Sequence, residues 1–304
     1  MDIYLPIANM SVNALLIVAL GGLVGILSGL FGVGGGFLTT PLLIFYGIPP
    51  GVAVASATTQ ITGASVSGVM AHMKRGGVDV RMGLVMIAGG LVGSLAGAGL
   101  FRLAQASGQL DTIIGLLYVF LLGSIGFLML RDAMKALGWW KSAEEESPRR
   151  RRHHKWVAAL PMRWRFYASG LYISPLAPLA LGFIAGILTV LLGIGGGFVL
   201  VPAMIYLLGM APRVVVGTSL IMILAVSAAT TMIHALTTRS VDIVLAALLL
   251  LGGVVGAQYG ARLTTRLKPD LLRFSLAIII LLVAARMALG LTYRPDELFS
   301  IEYL

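Results

Sequence analysis

The chain has 304 residues, 58% of them hydrophobic and 11% charged, with a mean hydropathy of +0.97. A soluble domain carries roughly 25% charged residues, so a water-soluble enzyme built round one core is excluded. There is no cysteine, which removes disulfides, thiolate metal sites and cysteine nucleophiles. The net charge of +10 does not point to nucleic acid, because the Lys and Arg residues sit between hydrophobic runs, as membrane topology requires.

Residues 1–11 contain no Lys or Arg, so the positive n-region of a signal peptide is missing, and the first hydrophobic run reads as a retained span. No Asp, Glu, Lys or Arg occurs from Ile3 to Met73. Gly and Pro clusters divide that stretch into segments at 12–31, 37–48 and 52–73, and 82–101 and 112–130 follow. A polar, charged stretch covers 131–165, after which segments recur at 176–192, 198–208, 214–236, 243–261 and 271–290. Segments 37–48 and 198–208 are too short to cross about 30 Å of hydrocarbon at ~1.5 Å per residue. They read as half-helices, or as one arm of a bent hairpin.

The second set repeats the first. Gly32-Val33-Gly34-Gly35-Gly36-Phe37 matches Gly193-Ile194-Gly195-Gly196-Gly197-Phe198, and Pro41 matches Pro202, at a shift of 161. His72 matches His234 at 162, and Gly89, Gly93 and Gly97 match Gly252, Gly256 and Gly260 at 163. Basic residues show how the copies are related. In the first half Lys74, Arg75 and Arg81 follow the third segment; in the second half Arg262, Arg266 and Lys268 follow the fourth. The positive-inside bias has swapped, so the halves are inverted. The expected architecture is an all-α integral membrane protein with two inverted repeats of five segments. Residues 1–137 form the N-terminal repeat, 138–170 a basic cytoplasmic or interfacial linker, and 171–304 the C-terminal repeat. Both termini are expected outside the cell membrane.

The linker carries Glu144-Glu145-Glu146 followed by four Arg residues, Arg149 to Arg152, and reads as a solvated connector. Trp139, Trp140, Trp156, Trp164 and Tyr167 interleave with its basic residues, which suits a segment at the headgroup level, drawn to anionic lipid. No recognised nucleic-acid-binding motif accompanies them.

Glycines four apart, such as Gly21, Gly25 and Gly29, lie on one helix face and suit close helix packing. Three in a row break a helix, and irregular backbone at membrane depth faces protein or a wet cavity. The helix that restarts after each break presents N–H groups and a positive dipole end that favour an anion. Gly34, Gly35, Gly36, Gly195, Gly196 and Gly197 are therefore candidate substrate contacts. No Lys-Ser or Lys-Thr follows them, so a Walker loop is excluded. The third segment supplies Ser56, Thr59 and Gln60, and its counterpart Thr218 and Ser219: neutral donors suited to an oxyanion that must later leave. Some of these hydroxyls will simply bond between helices. His72 and His234, at matching helix ends, are interfacial residues or a proton-linked gate. All twelve acidic residues lie in loops or at segment ends, so no intramembrane carboxylate marks a cation pump. No cofactor or metal site is indicated.

The paired Gly34-to-Pro41 and Gly195-to-Pro202 stretches and the two-copy layout with a variable central loop resemble the TauE/SafE sulfite-exporter family of membrane transporters. The resemblance covers nearly the whole chain except the linker and the tails. It implies transport of a small sulfur-containing anion of the sulfite, thiosulfate or organosulfonate class. Alternating access is the mechanistic default for an inverted repeat, and a proton or sodium is the candidate coupling ion. A passive anion channel is the first alternative. An integral-membrane enzyme is the second, disfavoured because no acid–base pair or metal cluster is placed within the spans.

Overall fold

The computed structural model describes residues 2–31, 36–74, 77–136, 164–263 and 269–292. Each half opens with an antiparallel hairpin: β1 (Asp2–Leu5) with β2 (Met10–Asn13), and β3 (Trp164–Phe166) with β4 (Leu171–Ile173). The first half continues with α1 (Ala14–Phe31), α2 (Gly36–Phe45), α3 (Pro50–Lys74), α4 (Val80–Ala106) and α5 (Leu110–Ala136). The second has α6 (Leu176–Leu192), α7 (Gly197–Tyr206), α8 (Pro212–Ile233), α9 (Ile243–Leu263) and α10 (Pro269–Thr292). A π-helical turn, His234–Thr238, extends α8. Every segment expected from the sequence is a helix, with ends displaced by a few residues.

Five stretches, Val80–Ala106, Leu110–Lys135, Val214–Thr238, Ile243–Gly260 and Phe274–Thr292, are long and apolar enough to cross a membrane. The helices α1, α2, α6 and α7 are apolar but shorter. Helix α3 has 25 residues, but its hydroxyl and amide side chains dilute its apolar character. The architecture is that of an all-α, multi-pass membrane protein.

The hairpins belong to the repeat. Their turns place Asn9 (φ 54°) and Gly170 (φ 66°) in the left-handed region at equivalent positions. Asn13 Oδ1 accepts the N–H groups of Leu15 and Leu16 at 3.1 and 3.3 Å, and Ser174 Oγ accepts that of Leu176 at 3.3 Å. Asn13 thus caps α1, and Ser174, at the equivalent position just before the Pro175 N-cap of α6, holds the N–H of that helix's first residue. The second hairpin straddles residue 170, where the linker was expected to end; its three-residue strands are too short to carry a readable period. Residues 137–163, with Trp139, Trp140, Trp156 and the Glu and Arg runs, lie outside the described residues. Of the expected aromatic belt, Trp164 and Tyr167 are exposed, and the guanidinium groups of Arg81 and Arg165 lie 5.3 and 5.7 Å from the Tyr167 ring centre.

The chain path proves the inversion. The Asn13 N–H donates to Tyr46 Oη at 3.3 Å, so α2 ends where α1 begins, and the two form a re-entrant hairpin. Helix α3 starts on that same first face, runs to the second, and α4 returns. Helix α1 runs parallel to α9: Gly252 meets Val18, Gly256 meets Gly22 and Gly260 meets Ile26. Helix α4 is thus antiparallel to α1 and also to α9, its own counterpart. The same argument with the halves exchanged holds for α6 and α4, where Gly89 meets Leu179 and Gly93 meets Phe183.

Glycine governs both parallel pairs. A Cβ on Gly89, Gly93, Gly182 or Gly186 would overlap a carbonyl oxygen of the facing helix, and so would one on Gly25, Gly252, Gly256 or Gly260. The four-residue spacing is therefore a packing device, which lets backbones touch where lipid offers no hydrophobic drive.

Matching cores seat the hairpins. Leu5, Ala8 and Val12 pack with Leu43, Ile48, Leu245 and Leu249 on the first face. Phe166, Leu171 and Ile173 pack with Met204, Met210, Met82 and Met86 on the second.

Candidate functional site

Gly36 and Phe37, where the first glycine run ends, meet the second glycine break inside the bundle. Phe37 and Phe198, the first side chains after each break, stack with ring centres 4.5 Å apart. Ile61 of α3 reaches both breaks: a Cβ on Gly36 would overlap its side chain, and one on Gly195 would stand 2.9 Å from it. Ile223 of α8, the counterpart of Ile61, stands 3.2 Å from the same point on Gly195.

Gly193, Gly195 and Gly196 have φ of 68°, 66° and 74°. Three left-handed residues within four positions explain why this turn is glycine. Gly196 caps α7, and no side chain supplies the cap hydrogen bond; the Val199 N–H donates to the Gly196 carbonyl at 3.1 Å, which leaves the N–H groups of Gly197 and Phe198 for another acceptor. Gly197 and Gly36 are buried first-turn residues of α7 and α2. Gly34 and Gly35 lie outside the described residues.

Beside the breaks, α3 and α8 cross antiparallel along a polar seam. Thr59 Oγ1 donates to the Ala55 carbonyl at 3.0 Å and stands 3.5 Å from Thr231 Oγ1. Thr62 Oγ1 lies 3.0 Å from both the Thr58 carbonyl and Ser227 Oγ. Thr59, Thr62 and Thr231 are half-buried. Gln60 is buried, accepting from Thr39 Oγ1 at 3.1 Å and donating to the Leu249 carbonyl at 3.4 Å. It ties α2 and α3 to α9. Thr230 Oγ1 is buried without a partner.

The structure separates the expected residues into two groups. Gly36, Gly195, Gly196, Gly197, Thr59 and Gln60 converge on the centre. Ser56 and Thr218 lie at opposite faces, where each accepts a backbone N–H, from Asp242 at 3.3 Å and from Asp79 at 2.9 Å. Ser219 is buried and donates to the Val216 carbonyl.

Sequence reasoning missed these two carboxylates. Asp79 is buried between halves: Oδ2 accepts the Ser169 N–H and hydroxyl at 3.0 and 2.7 Å, and Oδ1 caps Met82 at 3.1 Å. Asp242 repeats this on the other face, where Oδ2 accepts the Ile7 N–H at 3.1 Å and Oδ1 caps Val244 and Leu245. Gly77-Val78-Asp79-Val80 against Ser240-Val241-Asp242-Ile243 was the available signal. Thr39 was missed as well.

The histidines differ. His234 is buried, with Nε2 3.1 Å from the Val190 carbonyl, Nδ1 3.3 Å from Thr238 Oγ1 and its ring edge-on to Phe101. It thereby links the π-turn after α8 to the last turn of α6. His72 is half-buried. A separate cavity of about 480 Å³, lined by Leu100, Leu103, Ala104, Ser107, Ile113 and Leu191, is apolar and suits no anion.

Comparison with known proteins agrees with this architecture. A family model described as sulfite exporter TauE/SafE matches residues 17–287. The probable membrane transporter protein YjnA of Bacillus subtilis is 29% identical over 274 residues, 89% of this chain and 98% of that protein. A probable membrane transporter protein of Xylella fastidiosa is 28% identical over 280 residues, 90% and 95% of the two chains. Sulfite exporter TauE/SafE family protein 3 of Arabidopsis thaliana is 37% identical over 84 residues, 27% of this chain and 18% of that protein. No solved structure matches. With the match running from α1 into α10, the chain belongs to the TauE/SafE sulfite exporter family and is a membrane transporter.

Proposed function

We propose that the protein is a secondary transporter of small sulfur-containing anions, of the sulfite, thiosulfate or organosulfonate class, working by alternating access. The observation that carries this reading is the meeting of the helix starts Gly36-Phe37 and Gly197-Phe198, from inverted halves, beside a hydroxyl-lined seam. The uncapped first turn of α7 offers N–H groups and a positive dipole end. Thr59, Thr62, Thr231 and Gln60 offer neutral donors. A charge at the bilayer centre costs about 2.5–3.5 kcal/mol on lenient scales, and hydrogen bonds to a charged group return ~1.5–3 kcal/mol each. Two or three such bonds hold the anion without a fixed countercharge that would trap it. Ser56, Thr218 and Ser219 act at the rims in this reading, and His72 and His234 border the pathway.

Radiolabelled flux into proteoliposomes tests it. Uptake is expected to saturate, to show counterflow, and to be competed by sulfite, thiosulfate or an organosulfonate, but not by amines or metal cations. Thr59→Val is expected to lower apparent affinity about tenfold, the equivalent of one such bond, with little loss of stability because its hydroxyl bonds locally to Ala55. Non-saturating flux would identify a channel; competition by cations alone would end the anion reading.

The repeats at 1–137 and 171–304 are the two moving halves in this scheme, and 138–170 is a linker at the cytoplasmic surface in contact with anionic lipid. The membrane is the cell membrane. Helices α3, α5 and α9 end on the second face, beside the richest basic sequence, so that face is cytoplasmic and both termini lie outside. With no native thiol to interfere, Lys135→Cys and Arg262→Cys are expected to react with an impermeant maleimide only from the cytoplasmic side, and Arg239→Cys only from outside. Labelling of positions 135 and 239 from one side would overturn the assignment.

A further inference from the structure

We infer that Tyr118 and His234 are positioning residues of the anion site: they hold the broken end of α6, and with it the glycine turn from which α7 presents its first N–H groups. A helix leaves its last four carbonyls without an intrahelical donor. At the end of α6 these belong to Thr189, Val190, Leu191 and Leu192. The Gly193 N–H donates to the Thr189 carbonyl at 2.8 Å, with Gly193 left-handed at φ 68°, an ordinary glycine end. Val190 and Leu192 are met from far along the chain. His234 Nε2 lies 3.1 Å from the Val190 carbonyl, 44 residues away, and the Tyr118 hydroxyl donates to the Leu192 carbonyl, 74 residues away. A carbonyl only accepts, so Nε2 carries the imidazole proton and Nδ1 faces the Thr238 hydroxyl. All four of these residues are fully buried.

Neither anchor is a local cap. Tyr118 comes from α5 of the first half and His234 from the π-turn after α8 of the second, so both repeats grip the α6 end. The phenol stands beside Thr40 of α2, and Phe101 of α4 meets the imidazole edge-on with ring centres 4.9 Å apart. The Leu192 carbonyl and the Gly193 N–H share one rigid peptide plane, so holding the oxygen sets the direction in which the turn begins. The glycines that follow are permissive backbone, and donors serve an anion best when they are fixed before it arrives. The repeat by itself does not call for the phenol. Helix α10, the counterpart of α5, carries no tyrosine, and His72, the counterpart of His234, is only half-buried.

As residues that serve the anion site, Tyr118 and His234 rest on the transport reading; as anchors of the turn they do not, and the test separates the two. A variant that is merely less stable loses active molecules, which lowers the maximum rate and leaves half-saturation unchanged. Loss of positioning raises half-saturation in molecules that remain folded.

The test pairs hydrogen exchange with flux. Exchange is followed by mass spectrometry on the purified full-length protein without any anion, in peptides covering 193–200 and, as a control, 243–251 of α9. Tyr118→Phe removes only the phenol oxygen, and His234→Leu fills the space of the ring without a donor. Both are expected to speed exchange in 193–200 by about tenfold or more, the loss of one buried hydrogen bond, and to leave 243–251 unchanged. His234→Gln, whose amide donates from a similar reach, is expected to exchange close to wild type. In proteoliposomes, half-saturation for sulfite or thiosulfate is expected to rise about tenfold in Tyr118→Phe and His234→Leu. The maximum rate per folded protein should hold, and His234→Gln should restore half-saturation. Unchanged exchange in 193–200, or faster exchange with unchanged half-saturation, would overturn the inference. His234→Gln as impaired as His234→Leu would return the histidine to packing alone. If wild type moves neither anion while both variants exchange faster, the anchors stand and the anion reading falls.

Discussion

Replacing Gly93 by Val is expected to remove most folded protein from the membrane. A Cβ there would overlap the carbonyl oxygen of Phe183 and crowd its carbonyl carbon and Cα, at 2.8 and 2.9 Å. These are backbone atoms of a neighbouring helix and cannot rotate away as a flexible side chain would. Gly99, on the same helix, has nothing within 4 Å of a built Cβ. Intrinsic propensity makes Gly about 1 kcal/mol worse than Ala in a helix interior, so substitution by a residue with a Cβ gains a little at both positions. At Gly93 the cost of separating α4 from α6 is about 3 kcal/mol or more and prevails. Against a total stability of roughly 5–15 kcal/mol, that is a severe loss. Gly99→Val is expected to melt near wild type in detergent and Gly93→Val far below it, with poor recovery from membranes. Equal melting of the two variants would show that the α4–α6 contact is looser than the geometry states.

Much of this architecture is legible in the sequence because lipid imposes simple rules. Hydrophobic runs must be helices, so the segments appear without knowledge of packing. The glycine ladders and the swap of basic loops are likewise local patterns, and both hold in three dimensions. Hairpins β1–β2 and β3–β4 are not legible, since strands of three or four residues have no room for a period and their value lies in covering the ends of other helices. Asp79 and Asp242 were read as loop acids. Their burial depends on Ser169 and Ile7, which are 90 and 235 residues away. Ser56 and Thr218 look like donors for a ligand on a polar helix, yet each faces a backbone N–H from the other repeat. Residue type alone cannot tell these uses apart.

The site shows the same limit in the opposite direction. Three consecutive glycines announce a break but not what fills it. Here Ile61 and Ile223 converge on the same side of Gly195, and Phe37 stacks on Phe198, so the centre combines an apolar contact between the tips with a hydroxyl seam at their flank. That division suits alternating access. On the proposed alternating-access reading, the apolar tips would slide over each other without leaving polar groups bare, and the seam would keep an oxyanion solvated by protein as the halves rock.

Asp79→Ala and Asp242→Ala are expected to destabilise the protein strongly and to bias it in opposite directions. Asp79→Ala leaves the N–H groups of Ser169 and Met82 and the Ser169 hydroxyl without their acceptor in a buried place. Loss of a cap costs about 1 kcal/mol and each bond to a charged group ~1.5–3 kcal/mol, so roughly 4 kcal/mol is at stake. Asp242→Ala removes a cap on Val244 and Leu245 and the anchor of Ile7, at a similar cost. The two clasps occupy opposite faces and share no partner, so their effects on melting should add to within about 0.5 kcal/mol. Function separates them. Asp79 fastens hairpin β3–β4 and the start of α8 on the second face; Asp242 fastens hairpin β1–β2 and α3 on the first. Loosening one face favours the state open on that side. With Thr62→Cys as the reporter on the half-buried seam, Asp79→Ala is expected to speed impermeant-maleimide labelling from the second face and slow it from the first, and Asp242→Ala to do the reverse. If both variants speed labelling from both faces, the carboxylates hold the bundle together but do not set which side is open.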